Sequence, residues 1–116
     1  MNRQEMLERL ANGKKPIDVS IQKWRDIVQS LRDGVKPAIL DISVKTCALC
    51  EDTTGNNGLK QCHDCYYYAF YGFPCFYNAY DEFDKAAQNN DVDTAIEGAW
   101  DMIAELEKVK KWIEGA

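Results

Sequence analysis

The apolar positions of this 116-residue chain fall mostly at helical spacing. Met6, Leu7 and Leu10 share one face of a short N-terminal segment that Asn2 is placed to cap, and Gly13 followed by Pro16 is expected to stop it. Ser20 is expected to cap a second helix carrying Ile21, Trp24, Ile27, Val28 and Leu31, with Gly34 and Pro37 as the terminating pair. In "AILDISVK" the period changes to two. Leu40, Ile42 and Val44 alternate with Asp41, Ser43 and Lys45, which predicts a short half-buried strand leading into Cys47. "EDTTGNNGLK" is polar and contains glycine, and it reads as a loop.

Helical spacing returns after Cys65. "YYYAFYG" predicts a short helix ending at Gly72, and Pro74 restarts the chain for "CFYNAYDEFDKAAQ", with Phe76, Ala79, Tyr80 and Phe83 on one side. Asp91 or Asp93 is placed to cap the last helix. Its Val92, Ile96, Ala99, Trp100, Ile103, Leu106, Val109 and Ile113 form one apolar stripe, and Lys108, Lys110 and Lys111 near its end suit the macrodipole. The stretch from Cys75 to Ile113, with "NNDVDTA" at its turn, is similar in outline to one unit of a helical-repeat array. No second copy exists in the chain, so it is read as a hairpin folded over a central module. The expected fold is mainly α, a small single domain of about four to five helices with a short strand/knuckle zinc module inserted in the middle. Residues 1–37 would be the N-terminal helices, 38–75 the cysteine module and 76–116 the hairpin.

Composition adds little. A hydrophobic content of 46% with 28% charged residues is near the globular average. "MNRQEMLERLANGKK" has no signal-type apolar stretch, and no run approaches the roughly 20 apolar residues that cross a bilayer. A soluble, cytoplasmic protein without membrane association is expected. Charge adds more: residues 1–37 hold 8 Lys/Arg against 5 Asp/Glu, while residues 38–116 hold 6 against 14. An acidic surface repels phosphate, so a basic protein partner is favoured over nucleic acid.

The strongest chemical signal is Cys47-Ala-Leu-Cys50, eleven intervening residues, then Cys62-His-Asp-Cys65. Two thiolates three positions apart on a tight turn can point at one cation, and two such turns supply the tetrahedral sulfur cage that structural zinc prefers. With four protein ligands there is no open position for water, so the metal would be structural rather than catalytic. Cys75 and His63 are alternate ligands, and spacing alone cannot choose among them. An iron–sulfur cluster is the minor reading of the same cysteines, and a redox pair is weaker still, because the alternating α/β pattern around such a motif is lacking. An odd count of five cysteines in a chain expected to lie in a reducing compartment also argues against a disulfide framework.

All ten Tyr and Phe residues lie between Tyr66 and Phe83. Wide rings covering a metal site and adjoining helices account for most of them. Tyr66, Tyr67 and Tyr68 occupy successive positions, however, and at least one of three neighbours must face away from the core. These three are the candidate interaction surface. Residues 62–83 contain no Lys or Arg but hold Asp64, Asp81 and Glu82, which favours a protein contact over base stacking.

The order "SIQKWRDIV", "CALC", "CHDC", "YGFPC", "FYNAYDEF" and an acidic closing helix resembles small uncharacterised five-cysteine metal-binding proteins of bacteria, archaea and their viruses. The resemblance spans roughly residues 20–113 and rests on the cysteine spacing with the Lys23-Trp24 pair. The chain departs from that pattern in having Tyr66 where Pro would follow the second C-x-x-C. It departs again at Phe76-Tyr77-Asn78-Ala79-Tyr80, where a Thr-Pro-Tyr turn would follow the last cysteine. The resemblance implies metal binding and a viral or mobile-element origin, and it brings no activity with it.

The expected function is a non-enzymatic, zinc-stapled protein-interaction module, in the host cytoplasm if viral, that binds or inhibits a host protein. The alternative is a zinc-ribbon-like nucleic-acid binder using Arg3, Arg9, Lys14, Lys15, Lys23 and Arg25. Catalysis is disfavoured by the single His, the lack of a phosphate-binding glycine loop and carboxylates placed on solvated helix faces.

Overall fold

The computed structural model describes residues 2–40, 66–72 and 79–115, excluding the side chains of Tyr66, Tyr68 and Ala69. Mainly helical architecture is what these residues show. Helix α1 (Arg3–Ala11) starts as expected: the Asn2 side chain accepts from the Glu5 N–H at 2.8 Å while Glu5 accepts from the Asn2 N–H at 3.2 Å. This reciprocal box satisfies two donors that a helix start leaves unpaired. Met6 packs on Val19, with Leu7 and Leu10 at the margin.

Helix α2 (Pro16–Arg32) corrects two expectations. Pro16 begins this helix instead of stopping the previous one, and Ser20 is a buried interior residue, not a cap. The reason is local: proline's fixed φ suits the first helical turn, where its missing N–H costs nothing, and Ile17 already belongs to the stripe continued by Ile21 and Trp24. Gly13 and Gly34 end α1 and α2 at φ values of 87° and 94°. A residue with a side chain would be strained there.

Pro37–Ile39 form a 3-10 turn, and Leu40 follows it partly buried. The remainder of the expected strand, Ile42 and Val44 included, lies outside the described residues, as do the glycine loop and the stretch from Phe73 to Asn78. The short helix α3 (Tyr66–Tyr71) ends at Gly72, φ 81°, as its sequence predicts. Helices α4 (Ala79–Gln88) and α5 (Val92–Gly115) form the expected hairpin. Asn90 turns it at φ 50°, and Asp91 caps α5, accepting from the Thr94 N–H at 3.2 Å and its hydroxyl at 2.8 Å.

The long α5 is the central element, packed by α2, α3 and α4. Its buried face is Ala95, Gly98, Ala99, Met102, Ile103, Leu106 and Val109. Trp24 of α2 meets Phe83 of α4 edge to face at 5.4 Å, and Tyr80 at 6.1 Å. Small residues in the first half of α5 let α4 come close: a Cβ on Gly98 would lie 3.0 Å from the Phe83 backbone nitrogen. Trp100 departs from the expected stripe. It is 43% exposed, beneath the Arg32 guanidinium at 5.7 Å, because a ridge three positions from Ile103 and four from Ile96 overshoots the seam between α2 and α5.

Candidate interaction surface

The expected metal ligands Cys47, Cys50, Cys62 and Cys65 and the alternates Cys75 and His63 lie outside the described residues. Among the described residues no group of His, Cys, Asp and Glu could hold a metal ion. The aromatic part of the candidate site is partly described. Tyr67 is the inward member of the tyrosine triplet, fully buried, with its hydroxyl donating to the two Glu105 carboxylate oxygens at 3.1 and 3.3 Å. It is therefore a core residue and not a surface contact, while the side chains of Tyr66 and Tyr68 lie outside the described set.

Sequence reasoning missed Glu105. Tyr71, one turn after Tyr67 and 4.6 Å from it ring to ring, donates its hydroxyl to the Glu105 carbonyl at 2.9 Å. The Glu105 carboxylate also accepts from the Ala79 N–H at the start of α4. One residue thus fastens α3 and the α4 N-terminus to α5. Burial pushes its carboxyl above the usual glutamate range, against the Tyr67 and Ala79 hydrogen bonds that favour the charged form. The Tyr71 phenol is likewise raised, first by burial and then by the Glu105 charge.

Beyond this knot the rings come to the surface. Phe70 packs edge to face on Tyr71 at 4.8 Å and meets Trp112 at 5.5 Å, and Phe70 and Trp112 are both exposed by roughly two-fifths. Three helical turns back along the same edge of α5 lies a carboxylate cluster. Glu82 of α4 faces the carboxylates of Asp101 and Glu97 on α5, and its carboxyl is raised by partial burial first and by these two neighbours next. Among the described residues none of the three has a basic partner within ion-pair distance.

The opposite edge of α5 pairs most of its charges. Arg25 pairs with Glu107 at 2.9 Å, and Lys110 with Asp18 at 2.7 Å, around a groove floored by Ile21. Of the basic residues proposed for nucleic acid, Arg25 is taken by Glu107 and Arg9 lies 3.6 Å from Asp26. Lys23 is buried, its ammonium 5.7 Å from the Trp24 ring centre, while Lys14 and Lys15 are exposed.

Among the described residues these features define a helical packing with one edge of paired charges and one edge that combines acid with exposed rings. No helix among the described residues is long and apolar enough to cross a membrane. Comparisons with protein-family models, curated proteins and solved structures returned no match to the chain.

Proposed function

We propose that this chain is a non-enzymatic protein-interaction module, stapled by structural zinc on Cys47, Cys50, Cys62 and Cys65, that grips a basic protein partner along the α3–α4–α5 edge. The observation that carries this reading is the Glu82, Glu97 and Asp101 cluster, without a cation of its own, on the same helix edge as the exposed Phe70–Trp112 pair. A lysine or arginine from a partner relieves the repulsion, and an exposed aromatic pair provides the kind of anchor that dominates interface energies. Inhibition of a host nucleic-acid enzyme, whose basic channel an acidic surface can occupy, is one form this takes if the chain is viral. The pairing of Arg25 with Glu107 and of Arg9 with Asp26 at the surface, together with the burial of Lys23, supports a protein partner over nucleic acid.

Two measurements test the reading. Elemental analysis of freshly purified protein should return about one zinc per chain, and iron in its place would replace the zinc assignment by a cluster. Affinity capture with the native chain should retain a basic protein that F70A/W112A loses. No retained protein, or equal retention by that variant, removes the interface.

A further inference from the structure

The outward face of α5 carries a pattern that the proposed partner edge does not explain. Asp93, Glu97, Trp100, Ala104, Lys108, Lys111 and Gly115 follow one another at steps of four, three, four, then four, three, four, and every one is exposed. At 100° per residue these positions form a single seam about 33 Å long, directly opposite the buried Ala95, Met102, Leu106 and Val109. The steps read the same in both directions from Ala104. The charges do not: Asp93 and Glu97 lie on the N-terminal side, Lys108 and Lys111 on the C-terminal side, and among the described residues none of these four joins an ion pair.

We propose that this face is a self-recognition surface, on which a second copy of the chain docks α5 against α5, antiparallel, with the two-fold axis at Ala104. A two-fold axis there sets residue 104 plus k against residue 104 minus k of the other copy, and each contact occurs twice. Glu97 then meets Lys111 of the other copy, and Trp100 meets Lys108. Arg32 covers Trp100 from within its own chain at 5.7 Å and leaves the ring 43% exposed, so that a second cation can reach its π system. Ala104, the smallest side chain of the central layers, sits at the axis, where close approach of two helices requires a small residue. A parallel arrangement would set Glu97 on Glu97 and Lys111 on Lys111. Like charges therefore exclude it, and the sequence of charges alone selects the antiparallel register.

A contact of one helix per partner belongs to the small interfaces, below about 1,200 Å2 in total, and a net charge of -5 on each copy opposes it. The dimer is accordingly weak and concentration-dependent. This inference shares Glu97 with the heterologous interface proposed above but does not rest on it, since Phe70, Glu82, Asp101 and Trp112 lie off the seam. F70A/W112A should leave self-association unchanged, which separates the two proposals.

Sedimentation equilibrium on the full chain, from about 10 μM to about 1 mM, reads the association directly. E97K and K111E should each weaken it at least about tenfold, whereas E97K/K111E, which reverses both partners of the same pair, should return it to within about threefold of the native chain. A104R places two like charges on the axis and should also weaken it. All these positions are exposed, and circular dichroism checks that the helices persist. A native chain that stays monomeric throughout the range, single variants that associate like the native chain, or a folded double variant that fails to recover overturns the proposal.

Discussion

The two edges of α5 are built from the same kinds of residue and arrive at opposite electrostatic outcomes. Against α2, Arg25 faces Glu107 and Lys110 faces Asp18, so each charge meets its complement across the helix pair. Against α4, Glu82 meets Asp101 and Glu97, and acid is set on acid. Exposed ion pairs contribute little to stability, and the first edge is better understood as fixing the register of two helices than as holding them together. The second edge costs the fold something. A surface that opposes its own folding is where a partner has something to offer, which is why the interaction surface is proposed there.

Breaking the core should erase the distinction, because both edges depend on it. Phe83 is fully buried between Trp24 and the Gly98 backbone, and Phe83→Ala should lower unfolding free energy by about 3–5 kcal/mol in urea titrations. A loss under about 1 kcal/mol would show that the edges stand without that contact. Glu105 sharpens the comparison, since its hydrogen bonds tie the aromatic edge alone. Glu105→Ala strands the buried Tyr67 hydroxyl and should cost about 1–3 kcal/mol, with Glu105→Gln costing less because it keeps an acceptor. Equal losses for the two variants would mean that charge, and not hydrogen bonding, is what Glu105 supplies.

The smallest effects should differ in sign. Arg25→Ala removes an exposed pair and should destabilise by at most about 1 kcal/mol, less in high salt. Glu82→Gln relieves repulsion and should stabilise slightly at neutral pH. The pH dependence follows from the same cause. Glu82 and Glu105 have folded-state affinities for protons above those of the unfolded chain, so between the ordinary glutamate range and their raised values the folded state binds more protons. Stability from these two groups therefore falls as pH rises through that window and is regained on acidification. Asp91, held low by Thr94, acts in the other direction, with its contribution lost only as pH falls below the ordinary aspartate range. Unfolding free energies measured at intervals between neutral and mildly acidic pH should show a shallower slope for Glu82→Gln than for the native chain. An unchanged slope would place the repulsion elsewhere.

Local chemistry was legible wherever one residue decides one event. Asn2 and Asp91 cap, Gly13, Gly34 and Gly72 terminate, and the stripe of α2 lies inside, all as their residue types require. Pro16 was misread because proline both ends and begins helices, and only the apolar stripe continuing through Ile17 distinguishes the two. Trp100 was misread because a 24-residue helix with partners on several sides has margins that a single stripe does not mark. Glu105 had no sequence signal at all: a glutamate on a charged helix looks solvated until a tyrosine thirty-eight residues earlier folds onto it. For the tyrosine triplet the sequence could state that one ring turns outward, and the structure identifies Tyr67 as one that turns inward. The cysteine reading is a matter of spacing, and its residues lie outside those described.

Gly98 has a consequence of another kind. With a hydrogen as its side chain, α4 rests its backbone at Phe83 directly against α5, and any larger group would meet main-chain atoms, which cannot swing aside as a flexible side chain can. Even a methyl group there would push α4 back by a few tenths of an ångström, so the spacing of the whole hairpin is written at one position, seven residues after the aspartate that opens the helix.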